Sequence, residues 1–264
     1  FALASNIAMV LGPFIGLTII QFMSFKLMFI ILNVFMVIGL ICSIAVKVKE
    51  DHVPAKLNIE SIKMTWNDFI EVSTIPIGFF SALVGFGYAS ILSFVSVHAE
   101  QLNLASSASY FFLVFAFVMI IFRPYLGRAF DEKGPKKVLI PCLLCFSLGL
   151  ALLGMTTTAW MLLLAAAIVG LGNGALMPGL QTLAIQSTRR ERSGYAISTF
   201  FVFYDSGIAA GSYVLGILAQ SFGFDLMYHV TAIVMLLTTV ILYRYLTKIE
   251  KAHLNIKQPH QTSS

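Results

Sequence analysis

The sequence predicts an all-α, polytopic membrane protein. Three observations predict it. Of 264 residues, 58% are hydrophobic and only 11% are Asp, Glu, Lys or Arg, against roughly 25% charged in an average soluble domain. The apolar residues form continuous runs of about 20, long enough to carry a helix through a hydrocarbon layer of about 30 Å. They do not form the short alternating segments of a barrel. The charged residues collect between the runs. No single water-soluble core of this size could hide so much apolar surface, which excludes a soluble enzyme, a disordered chain and a nucleic-acid module.

Eight runs qualify as spans, roughly 1–21, 25–46, 73–97, 107–123, 138–155, 159–186, 195–220 and 226–246. In the first, Gly12 and Gly16 would let helices approach closely, and Pro13 removes a backbone hydrogen bond and invites a bend. The longest loop follows the second span. Its Ile59, Ile62, Trp66, Phe69 and Ile70 are separated by Glu60, Lys63, Asn67 and Asp68, a spacing that suits a helix lying on the membrane face and linking two bundles.

The fourth and fifth spans are joined by a loop with glycines and mixed charge, Gly127 to Lys137. Asp131 there could accept from a helix N-terminus or pair with an Arg, latching one side of the bundle. The alternative is a solvated topology loop. In the sixth span, Gly170, Gly172, Gly174 and Pro178 predict a broken helix. Such helices can line a binding site near the mid-membrane. Asn173, Met177 and Gln181, four apart, would share one face, as candidates for a substrate cavity or as interhelical packing.

The seventh span carries Asp205, the one acidic residue near the middle of a span. A carboxylate at that depth marks a functional site by default, and burial would raise its pKa toward a proton carrier's. The competing reading is an Asp pinned by hydrogen bonds to a neighbouring helix. Ser198, Asp205 and Ser212 recur every seven residues and so share a face. Cys42, Cys142 and Cys145 lie in apolar runs and read as small core residues. No metal-ligand spacing, catalytic motif or phosphate-cradling loop is present, so no cofactor, no metal and no enzymatic activity is expected.

Of the 17 Lys and Arg, all but Lys26 fall in loops on one side of the membrane or in the C-terminal tail. That bias places those loops and the C-terminus in the cytoplasm of a cell membrane. It also accounts for the net charge of +5 without nucleic acid. Shifted by 199 residues, the start of the chain matches its end. Phe1 meets Phe200, Gly12 meets Gly211 and Gln21 meets Gln220, while Phe25-Lys26-Leu27-Met28-Phe29 meets Phe224-Asp225-Leu226-Met227-Tyr228. Asn6 is the counterpart of Asp205 and cannot titrate, which favours the structural reading of that aspartate. Spans one and two thus pair with spans seven and eight, and a parallel repeat of six helices is a known transporter plan.

Three segments resemble the major facilitator superfamily in its bacterial exporter branch. Gly12-Pro13-Phe14-Ile15-Gly16 is similar to the Gly-Pro motif of the fifth helix in antiporters. Gly127 to Lys137 resembles the family's G-x-x-x-D-(R/K)-x-G-(R/K)-(R/K) pattern, carried by Gly127, Arg128, Asp131, Gly134, Lys136 and Lys137. Arg192-Ser193-Gly194 with Asp205-Ser206-Gly207 and Gly211 resembles the eleventh helix. Leu17, Glu132 and Pro135 depart from the usual pattern.

The resemblance implies the last eight of twelve helices in two six-helix bundles, with four helices ahead of Phe1. Residues 1–46 would close the N-terminal bundle, 47–72 the cytoplasmic linker, 73–246 the C-terminal bundle and 247–264 a polar, disordered tail. It makes the third span the seventh helix, which lines the cavity, with Ser81 and Tyr88 as further substrate candidates. Gly12, Pro13, Gly16, Gly207 and Gly211 would govern packing and gating. The implied function is secondary active transport, a proton-coupled efflux of a small organic molecule by alternating access. The implied partners are that substrate, protons, the lipid bilayer and the missing N-terminal half of the same protein. An importer of a sugar or metabolite is the alternative, and a non-transporting polytopic membrane protein a more distant one.

Overall fold

The computed structural model describes residues 12, 15, 16, 18–20, 22–45 and 70–257, with the backbone alone for 252–257. Among these it contains no strand and seven long helices: α1 (Phe25–Ala45), α2 (Ile75–Gln101), α3 (Ala105–Lys133), α4 (Pro135–Gly154), α5 (Ala159–Gln186), α6 (Ser193–Phe222) and α7 (Phe224–Lys257). Each of the seven is long and apolar enough to cross a membrane. The described residues of the first expected span, 12, 15, 16 and 18–20, are helical. The expected surface helix of the linker lies outside the described residues.

The helix ends follow local chemistry. Gly134 at φ 84° and Gly223 at φ 88° occupy the left-handed region that favours glycine, and each is the sole residue between two helices. Pro135 opens α4, where its missing N–H costs nothing. Thr158 caps α5 by accepting from the Met161 N–H at 3.4 Å. The repeated strings begin helices at equivalent residues, Phe25 for α1 and Phe224 for α7.

Three expectations are corrected. The segment from Gly127 is no loop, because α3 continues through Lys133 and Gly134 alone makes the connection. Arg128, Ala129, Glu132 and Lys133 are good helix formers, so the helix outruns its apolar part. The tail past Lys248 is helical to Lys257, for the same reason and because Glu250 accepts from Lys136 Nζ at 3.4 Å. The broken helix expected at Gly170–Pro178 is continuous. Its glycines are contact points: a Cβ at Gly170 would lie 2.6 Å from the Phe115 carbonyl of α3, and one at Gly172 2.6 Å from the Phe146 nitrogen of α4. Small residues there let α5 approach both neighbours, the packing that lipid-embedded helices rely on.

Helices α2 to α7 form one bundle. Its most extensive interfaces join α2 to α6, α4 to α5 and α7, and α3 to α5. Phe111, Phe115, Phe146, Phe200 and Tyr228 fill the interior. Trp160, Tyr213, Phe222 and Tyr125 point outward, as expected of a surface that meets acyl chains or another bundle and not water. No residue of α1 is buried. Glu71, Gly134, Arg192 and Glu250 lie at one end of the bundle, and Asn103, Met155 and Gly223 at the other.

Candidate functional site

Glycines bring α2 and α6 into close approach along a seam. A Cβ on Gly207 would overlap the Ala82 carbonyl, and one on Gly211 would sit 2.8 Å from the Phe86 carbonyl and the Ala89 Cβ. Ser81 is fully buried in this seam and donates to the Gly78 carbonyl at 2.7 Å and the Phe200 carbonyl at 3.2 Å. Its hydroxyl therefore binds helix to helix and faces no cavity. Further along, Ser93 and Ser212 share a hydrogen bond of 3.0 Å on the exposed rim.

Asp205 lies on the stripe of α6 shared with Ser198 and Ser212, outside the glycine contacts of this seam. It is exposed, as are Ser198 and Tyr213, and it makes no hydrogen bond or ion pair with any described residue. The pinned aspartate considered from sequence is thus not found within this bundle. A carboxylate in the middle of a spanning helix, facing away from its own bundle, remains available to a proton, a substrate or an opposing helix.

The other cavity candidates are dispersed. Tyr88 is buried, its ring tilted against Phe115 at 6.4 Å. Asn173 is 7% exposed, and its Oδ1 is buried without a hydrogen-bond donor. Met177 and Gln181, one and two turns on, are half-buried. The stripe runs from an unsatisfied amide in the interior to a partly open amide near the α5 end. Gly12 and Gly16 are helical, and nothing stands within 4 Å of a Cβ at either. Pro13 lies outside the described residues.

Arg128, Asp131 and Lys137 are exposed, and Asp131 bonds to no described residue. Lys136 is held by α7, through Glu250 and by lying over the Tyr243 ring at 4.5 Å. Asp131 instead lines a pocket of about 310 Å³ between α3 and α5, together with Arg123, Gly127, Gly174, Pro178 and Thr182.

Sequence reasoning missed a clamp at the basic end. Arg192 Nε donates to Glu71 Oε2 at 2.5 Å, Ser73 Oγ donates to Glu71 Oε1 at 2.8 Å, and the Glu71 N–H donates to Thr199 Oγ1 at 2.8 Å. The Arg192 guanidinium also stacks over Tyr195 at 4.8 Å. The Arg192 hydrogen bond, followed by that of Ser73, holds the Glu71 carboxyl below its ordinary value of 4.5. Next to it, Thr74 Oγ1 lies 3.1 Å from Ser187 Oγ at the end of α5. The start of α2 is thereby tied to both α5 and α6. The available signal was an acid just before one span and an Arg just before another, but their pairing spans 121 residues.

Among the described residues no group of three or more His, Cys, Asp or Glu could hold a metal ion. A family model described as Major Facilitator Superfamily matches residues 1–133 and again 77–262. Curated relatives named "Multidrug resistance protein MdtG" match at 28% identity over 169 residues in Dickeya zeae, 27% over 166 in Proteus mirabilis and 28% over 162 in Escherichia coli. These alignments cover 61%, 60% and 59% of this chain and 41%, 41% and 39% of the relatives. The chain thus matches about two fifths of the length of those relatives.

Proposed function

The chain belongs to the Major Facilitator Superfamily, a family of multi-pass membrane transporters, and from that premise we propose that it forms part of a proton-coupled exporter of small organic molecules. Asp205 is the observation that carries this reading. It is a carboxylate near the middle of α6, exposed on the face turned from its own bundle and without a partner among the described residues. There it can be protonated from one side of the membrane and deprotonated from the other as the cavity alternates. The relatives named for multidrug resistance support export over import.

In this reading residues 1–46 close an N-terminal bundle, 47–72 link the bundles and 73–246 form the second. The basic end faces the cytoplasm of a cell membrane, where Lys and Arg are retained. Asp131, exposed there, meets the opposing bundle when the cavity is closed on that side. Asn173, Met177 and Gln181 offer the substrate amides and a soft thioether.

The test is vesicle transport. The transporter that contains this chain, reconstituted and loaded with a fluorescent lipophilic dye, is given an inward or outward pH gradient. Dye movement that reverses with the gradient and stops with a protonophore supports the reading. Dye retention unaffected by either gradient would sink it.

A further inference from the structure

We propose that the wedge between α3 and α5 is a binding site for a phosphate group, with Arg123 as its anchoring charge. The two helices run parallel, and their contacts step by four residues. A Cβ on Gly170 would lie 2.6 Å from the Phe115 carbonyl, whereas one on Gly174 would lie 3.4 Å from Met119 Cγ, an ordinary contact. The next steps pair Arg123 with Pro178 and Gly127 with Thr182. There the helices have parted, leaving the 310 Å³ pocket, at the lower bound of small-molecule sites.

Its lining has one donor group, the Arg123 guanidinium, and the room that an oxyanion needs. Arg123 is half-buried and makes no hydrogen bond or ion pair with any described residue. A guanidinium presents a planar fork matched to phosphate oxygens, and leaving one unpaired where it is partly withdrawn from water is costly unless an anion joins it. Gly127 gives the anion space, since nothing lies within 4 Å of a Cβ there. Pro178 has no N–H, so the Gly174 carbonyl on the pocket wall lacks its helical donor.

Thr182 Oγ1 donates to the Pro178 carbonyl at 2.8 Å. Asp131 lies two turns beyond Arg123 on the same wall, about 12 Å along the helix at 1.5 Å per residue. Its carboxylate and the Gly174 carbonyl accept hydrogen bonds and repel further negative charge. Together they select a singly charged phosphodiester whose neighbouring group carries a hydroxyl or ammonium donor. Such a group arrives either as a lipid headgroup or as a soluble organic phosphate. The site is separate from Asp205 and does not depend on its role.

The experiment uses the full chain in nanodiscs of phosphatidylcholine, alone or with phosphatidylglycerol, followed by extraction and measurement of the retained lipid. In a second arm glycerophosphoglycerol is titrated in detergent while the thermal midpoint is followed. Wild type is expected to retain phosphatidylglycerol or to be stabilised by glycerophosphoglycerol. Retention identifies a lipid source and stabilisation a soluble one. Arg123→Gln should weaken either effect about tenfold, the worth of one charge-assisted hydrogen bond, and Arg123→Lys should weaken it less. Gly127→Leu fills the wedge with Arg123 in place, and it carries the test if Arg123→Gln fails to fold. Equal retention and equal shifts in wild type and Gly127→Leu, or no effect of either probe on wild type, overturns the proposal.

Discussion

Glu71 and Arg192 close a salt bridge between the turn that precedes α2 and the turn that precedes α6. Glu71 is the less exposed partner, with its side chain 13% exposed against 38% for Arg192. The pair stands at the end of the α2–α6 seam, where Gly207 and Gly211 bring the helices together, so it fixes the register of the two helices as well as their spacing.

The lowered Glu71 pKa makes this clamp dependent on acid. Its contribution is complete above the ordinary carboxyl value of 4.5 and is lost as pH falls through the lower folded value. Glu71→Gln should reduce the thermal midpoint by about 2–4 °C at pH 7 and flatten the wild-type decline below pH 4.5. Differential scanning fluorimetry in detergent reads both. Parallel pH profiles for the two proteins would show that the clamp adds no stability.

Gly207→Ala places a methyl group against the Ala82 carbonyl, a backbone atom that cannot swing aside. It should cost about 1–3 kcal/mol through overpacking and lower the yield of monodisperse protein. Gly216→Ala is the contrast, because its nearest neighbour is Phe94 Cζ at 3.4 Å. That change should be neutral or stabilise by up to about 1 kcal/mol from helix propensity. A reversal of this order would refute the close approach of α2 and α6.

Asp205→Asn keeps the shape of the side chain and removes its titration. With Asp205 exposed, the substitution should leave the midpoint within about 0.5 kcal/mol of wild type while abolishing pH-driven dye movement. Counterflow exchange of dye, which needs no proton movement, should survive. Full gradient-driven transport in the variant would remove Asp205 from the coupling mechanism.

Asn173→Leu replaces an unsatisfied amide with an apolar side chain. Relief of the buried Oδ1 should raise stability by about 1 kcal/mol and weaken substrate binding, measured as a higher dye concentration for half-maximal transport. A stabilised variant with unchanged dye affinity would make Asn173 a packing residue.

The spans themselves were legible because a bilayer imposes length and apolarity on each helix separately. Ala159–Gln186 was readable to the residue, bounded by the Thr158 cap and the polar run after Gln186. What was not legible depended on neighbours. Gly170 and Gly172 read as helix breakers, since their occupation by Phe115 and Phe146 is invisible in the linear chain. The segment Arg128–Lys133 read as loop because polarity marked the edge of the membrane, while helix propensity carried α3 past that edge. Among the site candidates, Ser81 was drawn to the cavity by its position on the third span, yet its hydroxyl is consumed by the Phe200 carbonyl. Asp205 was legible as a mid-span carboxylate, but its exposure on α6 depends on which stripe of that helix packs against α2, which the linear chain does not state.

Gly134 and Gly223 are single-residue connectors at opposite ends of the bundle. One residue of chain reaches at most about 3.6 Å, so neither α3 and α4 nor α6 and α7 can slide along each other by a helical turn without unwinding. The two connectors act as rivets, and they leave neither pair slack for a piston stroke. Any large displacement of either pair would then have to carry both of its helices together.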